Sequence, residues 1–241
     1  MTGAKNRLQS NAITQAASTI GRGFLDLLYP PVCVHCQSRT SSGTPLCRRC
    51  RRRLEPVPHE SLRRLLDRLD SADLDDVTAV WFFDKRSPLQ AVEHALKYGN
   101  RPSYGGWLGR KLGHHLAING SDDFDVVTCI PLHPQRLLTR GYNQAAVVAR
   151  EVAALLDKPF DEHLIARQRA TRTQTKLSRE ERKLNLAGAF AGTSSTSAIG
   201  QRVLLVDDVM TTGTTLATAA HTLKQAGAAR VIGAATALAR N

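Results

Sequence analysis

The sequence predicts an α/β fold in which a parallel sheet is flanked by helices, preceded by a small four-cysteine module. Short runs of aliphatic and β-branched residues, apolar throughout, alternate with segments of helical periodicity. Cys33, Cys36, Cys47 and Cys50 form two C-x-x-C pairs ahead of the first of these runs. The chain has 241 residues, which is enough for one well-packed core and a small accessory module.

The composition indicates a folded and strongly basic protein. Apolar residues make up 42% of the chain, which argues against wholesale disorder. The formal net charge of +12 favours polyanionic partners such as nucleic acid, or phosphorylated ligands, although a solvated basic surface gives the same charge. The apolar runs are far shorter than the roughly 20 residues of a membrane span, and no secretory signal is visible. Together with the cysteine spacing, this predicts a protein of the reducing cytoplasm.

Residues 1–23 are predicted to form an N-terminal arm, and residues 24–56 the four-cysteine module. The arm is polar and Ala-rich, which indicates a flexible segment. In the module, each C-x-x-C pair places two thiolates on one tight turn, and two facing turns form the tetrahedral sulfur shell that zinc prefers. A closed four-sulfur site leaves no open position, so we predict a structural metal. A pair of redox dithiols and, in an oxidised sample, disulfides are the alternatives.

Five arginines surround the second cysteine pair: Arg48, Arg49, Arg51, Arg52 and Arg53. On a rigid metal module such a cluster could bind the phosphates of DNA or RNA. A solvated basic face explains the same residues, and no aromatic side chain that could stack on bases lies nearby. The charged residues 57–76 that follow are predicted to connect the module to a main domain at 77–241.

Helices and strands of the main domain follow from the apolar pattern and from capping residues. The predicted elements are strand 78–83, helix 87–97, helix 102–117, strand 125–130, helix 145–156, strand 203–206, helix 216–225 and strand 230–237. Ser87 is a suitable N-cap for the first helix, with Pro88 in its first position. Gly227 suits the C-terminal end of the last helix.

The stretch 203–215 carries the most informative motif. Asp207 and Asp208 follow an apolar strand at its carboxyl end, where open α/β sheets bind ligands. Hydroxyl groups around one glycine then open a helix whose free amides favour an anion: Thr211, Thr212, Gly213, Thr214 and Thr215. Carboxylates repel phosphate but accept hydrogen bonds from a sugar diol. A ribose 5-phosphate therefore matches both parts, and capping and turn formation without a ligand are the alternative.

A second strand, at 125–130, also leads into a loop that opens a helix. This loop carries Arg136 and Arg140, guanidinium groups suited to a second, doubly charged phosphate. Because the carboxyl ends of parallel strands share one edge of the sheet, we expect the two loops to be neighbours. Lys97, at the end of the first helix, is a further candidate to approach phosphates, although the helix dipole explains a lysine at this position equally well.

The motif at 203–215 resembles the binding motif for 5-phosphoribosyl 1-pyrophosphate (PRPP) in type I phosphoribosyltransferases. The cysteine quartet and three further segments narrow the resemblance to the bacterial ComF family: Leu96-Lys97-Tyr98, Pro131-Leu132-His133-Pro134 and Arg140-Gly141-Tyr142-Asn143-Gln144. Tyr142 stands where the family pattern has Phe. The resemblance implies a zinc-finger-like N-terminus, a phosphoribosyltransferase-like domain that binds PRPP with Mg²⁺, and a link to DNA uptake or use in competence.

The resemblance also implies roles for the candidate residues. Asp207 and Asp208 would position the ribose, the loop 211–215 would hold the 5-phosphate, and Arg136 and Arg140 would hold the pyrophosphate. The implied reaction is displacement of pyrophosphate at the anomeric carbon by a nitrogen nucleophile, and neither the residues nor the resemblance names that acceptor.

Two matters stay open at this point. The polar, basic segment 167–190 resembles a mobile loop that closes over PRPP in related enzymes, whereas an exposed helix at 178–187 is the alternative. The whole protein is either a phosphoribosyltransferase or a non-catalytic, single-stranded DNA-binding protein that uses the fold as a scaffold or PRPP sensor. In the second case, proteins of DNA uptake are the expected partners.

Overall fold

The computed structural model describes residues 30–69, 71–168, 188–192 and 198–240. The predicted arm 1–23 and most of the segment 167–190 lie outside these residues. The described helices are α1 (Arg48–Arg51), α2 (His59–Leu69), α3 (Pro88–Tyr98), α4 (Pro102–Ile118), α5 (Pro134–Arg140), α6 (Gln144–Leu155) and α7 (Thr214–Gln225). None of them is long and apolar enough to cross a membrane.

The strands form a central parallel sheet and a separate antiparallel pair. In chain order they are β1 (Asp76–Phe83), β2 (Val126–Cys129), β3 (Ile165–Arg167), β4 (Phe190–Gly192), β5 (Arg202–Met210) and β6 (Arg230–Ala239). Four strands form the sheet in the order β1-β6-β5-β2, with every neighbouring pair parallel. The other two strands, β3 and β4, pair antiparallel with each other. The predicted parallel α/β sheet is therefore confirmed.

The apolar run of β5 is explained by burial on both faces of the sheet. Val203 and Leu205 belong to a core cluster with leucines of α2 and α7, whereas Leu204 and Val206 belong to a second cluster with residues of α3, α4 and α6. Successive strand residues point to opposite faces, so a strand between two helical layers is apolar at every position. This two-sided burial fixes the position of the carboxyl end of β5.

Two boundaries differ from the sequence prediction. Strand β5 continues to Met210, because β6 extends alongside it and pairs Asp207 with Ala235 and Met210 with Leu238. The sequence predicts that the two aspartates follow the strand. In the structure they lie within its last residues, which still pair with β6. In addition, the segment 57–76, predicted as a connector, contains α2, whose Leu62, Leu65 and Leu69 are buried in the core.

Three glycines let α4 approach α6 closely. A Cβ atom at Gly109 would lie 2.6 Å from the backbone oxygen of Val148, and one at Gly105 would lie 2.7 Å from the Val147 side chain. Gly113 meets Leu155 in the same way. These contacts are shorter than a carbon atom permits, so the small residues set the distance between the two helices.

We predict that Gly109→Ala destabilises the protein by about 1–3 kcal/mol although alanine favours helix formation, because the added methyl group meets backbone that cannot easily move. Gly106→Ala is the matched control on the same helix, since its Cβ would have no neighbour closer than 3.5 Å. We expect the control to be neutral or stabilising by up to about 1 kcal/mol. Urea unfolding of both variants tests this, and equal stability of the two would refute the close-packing argument.

Candidate functional site

A cavity of about 610 Å³ lies at the carboxyl ends of β2 and β5. Most of the site residues predicted for a sugar phosphate line it: Lys97, Arg136, Arg140, Asp207, Asp208, Thr211, Gly213 and Thr215. The fold thus brings together residues that are separated by more than a hundred positions. Thr212 and Thr214 are not part of the lining, and their hydroxyl oxygens lie 2.9 Å from each other.

The loop between β5 and α7 has the geometry of an anion site. Gly213 is the N-cap of α7 and has a left-handed backbone conformation with φ of +74°, which glycine adopts without strain. Because glycine at the N-cap has no side chain to accept hydrogen bonds from the first turn, the amide groups and the dipole of α7 favour an anion at this end of the helix. A Cβ atom at Gly213 would lie 2.8 Å from Leu69 of α2, so the segment predicted as a connector braces the loop from behind.

The two neighbouring aspartates have different electrostatic environments. Lys97 Nζ lies 2.6 Å from Asp208 Oδ2. Burial opposes ionisation of Asp208, but the Lys97 ammonium outweighs burial and holds the pKa of that carboxyl below its ordinary value. Burial and the charge of Asp208 raise the pKa of Asp207 well above its ordinary value. Asp208 is therefore the more strongly acidic of the two carboxyl groups, and Asp207 is the more easily protonated.

The opposite wall of the cavity is basic. Arg136 and Arg140 lie on the short helix α5, where the sequence predicts a loop. The helix ends at Gly141, whose φ is +78°. Arg140 donates a hydrogen bond of 3.0 Å to Gln144 Oε1, and its guanidinium lies 5.6 Å from the centre of the Tyr98 ring. These contacts hold the guanidinium beside the cavity.

Sequence reasoning does not identify Arg167 and Glu93 as site residues. Arg167 lines the cavity, and burial together with the charge of Arg136 lowers its pKa. One feature of the sequence could have identified Arg167: like the two aspartates, it stands at the end of a short apolar run. Glu93 is 2% exposed and lies behind Lys97, and its signal is the spacing of four residues between acid and lysine on one helix.

The four cysteines of the N-terminal module form one compact cluster. Their sulfur atoms all lie within 4.8 Å of one another, and Cys36 Sγ and Cys47 Sγ are 3.6 Å apart. Zn–S bonds of about 2.3 Å in a tetrahedron require sulfur atoms about 3.8 Å apart, so the cluster fits zinc. The hydrogen bond with Ser38 lowers the pKa of Cys36 to about 6, which favours the thiolate that binds metal. The predicted structural zinc site is supported.

This module is joined to the main domain by shared packing and hydrogen bonds. Cys33 and Cys50 are buried in the apolar cluster that also contains residues of α3, α4 and α6. The segment after the module runs antiparallel to the edge strand β1, where the Phe82 amide donates to the Glu55 carbonyl at 2.8 Å and the Val57 amide to the Val80 carbonyl at 3.1 Å. The zinc site is therefore held rigidly on the domain.

The arginines of the module lie outside the cavity lining. All five are exposed: Arg48, Arg49, Arg51, Arg52 and Arg53. Four of them belong to α1 or its C-cap, on either side of Cys50, so the metal-binding turn orients them. Arg53 Nη1 lies 3.4 Å from His35 Nε2 of the first cysteine pair. The structure thus presents a basic surface on the module that is separate from the basic wall of the cavity.

Comparison with known proteins agrees with this two-part organisation. A model of the phosphoribosyl transferase domain matches residues 142–241, and a model of the double zinc ribbon domain matches residues 24–62. The chain is 34% identical over 152 residues to the DNA utilization protein YhgH of Escherichia coli, covering 61% of this chain and 66% of that protein, just under two thirds.

Two competence proteins are also similar. Competence protein F of Haemophilus influenzae is 28% identical over 215 residues, which cover 86% of this chain and 90% of that protein. Competence protein ComFC of Bacillus subtilis is 35% identical over 115 residues, which cover 48% of this chain and 45% of that protein.

We predict that the purified chain carries about one zinc ion and that Cys50→Ser loses it together with much of the stability of the module, because one thiolate ligand is removed. Cys129→Ala is the matched control, since Cys129 is buried in β2 away from the cluster. Zinc is measured by mass spectrometry of reduced protein. Full zinc content in Cys50→Ser, or none in the wild type, would contradict the predicted site.

Proposed function

The chain belongs to the ComF family, and from this premise we propose that its cavity binds PRPP together with Mg²⁺. The observation that carries the proposal is the juxtaposition of a half-buried acid pair with the N-terminus of α7 and a basic wall around one cavity. PRPP has a sugar diol and two phosphorylated ends, and each of these groups has a chemically matched partner in the cavity.

We assign the ribose hydroxyls to Asp207 and Asp208, whose oxygens accept hydrogen bonds from a diol. The 5-phosphate binds at the loop 211–215, where the amides and dipole of α7 favour an anion. The pyrophosphate binds at Arg136 and Arg140, the guanidinium groups of α5 on the opposite wall. Lys97 stands between these regions and contributes positive charge to both.

Mg²⁺ would reach this cavity mainly as a complex with PRPP. Asp208 is already paired with Lys97, so the acid pair would offer few oxygen ligands to Mg²⁺, and PRPP itself would supply most of them. When bound, Mg²⁺ supplies charge neutralisation at the pyrophosphate. The chain contributes orientation of the sugar and a second set of positive charges around the leaving group.

We propose pentosyl transfer as the reaction. A nitrogen nucleophile forms a bond to the anomeric carbon of the ribose as the bond from that carbon to the pyrophosphate oxygen breaks. The pyrophosphate leaves with the electron pair, and Arg136 and Arg140 stabilise its charge. The aspartates hold the sugar in one orientation during the substitution at the anomeric carbon.

A second proposed function is binding of single-stranded DNA by the arginines of the zinc module. Five exposed arginines on a rigid turn are suited to a phosphate backbone, and relatives carry the names of DNA utilization and competence proteins. In this proposal the zinc module contacts DNA, and the cavity of the main domain binds the sugar phosphate. Proteins of DNA uptake are the proposed partners, in a reducing cytoplasm that keeps the zinc thiolates intact.

We predict that PRPP with Mg²⁺ binds the wild type and that an Asp207→Asn, Asp208→Asn double variant binds at least about tenfold more weakly, because the diol loses its charged acceptors and Lys97 loses its partner. Calorimetric titration measures both affinities. An Asp122→Asn, Asp157→Asn double variant, which changes two aspartates outside the cavity lining, should bind like the wild type. A folded wild type that does not bind PRPP would refute the proposal.

We predict that Arg49→Ala, Arg51→Ala and Arg52→Ala together weaken binding to a single-stranded oligonucleotide by at least about tenfold and reduce its dependence on salt, because fewer counterions are released. The matched control replaces three exposed basic residues elsewhere, Arg63, Lys85 and Arg101, with alanine. Fluorescence anisotropy across a salt series measures both. Equal affinities of the two triple variants would exclude the arginine cluster as the DNA-binding surface.

A further inference from the structure

Glu93 is a buried acid for which the proposed ligand contacts provide no role. Its side chain is 2% exposed, and it lies on α3 one turn before Lys97. Lys97 Nζ is 3.4 Å from Glu93 Oε2 and 2.6 Å from Asp208 Oδ2, so the ammonium lies between two carboxyl groups and is closer to that of Asp208. A buried carboxyl group is costly unless it is protonated or paired, so its presence beside Lys97 requires an explanation.

The hydrogen bonds around Thr236 indicate which form of Glu93 the structure fits. Thr236 Oγ1 lies 2.7 Å from the backbone oxygen of Asp208 and 3.2 Å from Glu93 Oε1. A hydroxyl group has one hydrogen, and the shorter contact to the Asp208 carbonyl takes it. A protonated Glu93 carboxyl could then donate to the Thr236 hydroxyl oxygen at this distance, so the arrangement accommodates the protonated acid. Burial also raises the pKa of Glu93 to about 7.

Ligand binding changes the balance around Lys97. In the free cavity, the charge of Asp208 is neutralised by Lys97 alone among the groups whose contacts are described. Once sugar hydroxyls donate to Asp208, its oxygens share their charge with the ligand, and the ammonium is held less strongly there. Glu93 Oε2 is the acceptor next in distance to Lys97 Nζ, less than 1 Å farther away than Asp208 Oδ2.

We propose that Glu93 is a positioning residue that accepts the Lys97 ammonium when a ribose phosphate engages Asp208, releasing its own proton to solvent as it does so. This inference rests on the proposed PRPP site. The carboxylate form of Glu93 keeps Lys97 at the cavity and charged while Asp208 serves the sugar. Glu93 itself need not touch the ligand.

The affinity for PRPP is expected to change with pH in one direction. The described groups that influence the ionisation of Glu93 are Lys97 on α3, Asp208 on β5 and the uncharged Thr236 on β6. Asp207 on β5 acts on Lys97. Because the bound state favours ionised Glu93, binding releases a proton, and affinity rises with pH until Glu93 is ionised in the free protein as well. With a pKa of about 7 in the free protein, this rise ends slightly above neutral pH.

The test compares Glu93→Gln with the wild type in calorimetric titrations of PRPP with Mg²⁺, between about pH 6 and about pH 8 and in two buffers of different ionisation enthalpy. Glutamine reproduces the protonated form of Glu93 and cannot release the proton. We expect Glu93→Gln to match the wild type near pH 6, to bind about tenfold more weakly near pH 8, and to release about half a proton less per site near pH 7. The titration of the ligand's own phosphates is common to both proteins and cancels in the comparison.

Glu151→Gln is the matched control, because Glu151 of α6 is paired with Arg110 of α4 at 2.5 Å and does not line the cavity. It should follow the wild-type curve, and melting temperatures establish that every variant is folded. If Glu93→Gln lost affinity by the same factor at every pH, or lost none at any pH, the proposed role of Glu93 would be overturned. Failure of the wild type to bind PRPP would instead overturn the proposed function, and this inference with it.

Discussion

Burial of carboxyl groups at the end of β5 is possible only because a cation reaches them from a different element. Asp208 is partly enclosed by β6 and α3, where an isolated charge would be strongly destabilising, and Lys97 of α3 provides the compensating ammonium at 2.6 Å. The pair therefore ties the last turn of α3 to the carboxyl end of β5. Tyr98 follows Lys97 in the chain and contacts Arg140 of α5. The C-terminal end of α3 therefore positions both walls of the cavity.

The two-sided core explains why this edge of the sheet is rigid enough to hold a small anionic ligand. Val203 through Val206 are buried alternately in the two helical layers, which leaves β5 no freedom to shift its register. On one side, Leu69 supports the backbone of Gly213, so the loop at the start of α7 is held from behind. A preformed loop binds phosphate at a lower cost in conformational entropy than a loop that must become ordered.

The molecule separates two kinds of positive charge. The cavity contains cations that are partly buried and partnered, such as Lys97 with Asp208 and Arg140 with Gln144. The zinc module instead carries exposed arginines on a short, metal-supported turn. Partly buried, oriented charges are suited to a small ligand of fixed geometry, whereas exposed charges suit a flexible polyanion whose contacts are screened by salt. This difference is the physical basis for proposing two ligands and not one.

Features that depend on local pattern could be predicted from the sequence. Apolar runs predict the strands, the Ser87 and Pro88 pair predicts the start of α3, and the spacing of Cys33, Cys36, Cys47 and Cys50 predicts the zinc cluster, because each depends on residues close together in the chain. Only the tertiary structure decided that β5 extends through Asp207 and Asp208, since the partner strand β6 supplies the ladder. It alone revealed the brace from α2, the placement of Arg167 in the cavity wall and the position of Glu93 behind Lys97. Those features arise from packing between distant segments, which a local pattern alone does not specify.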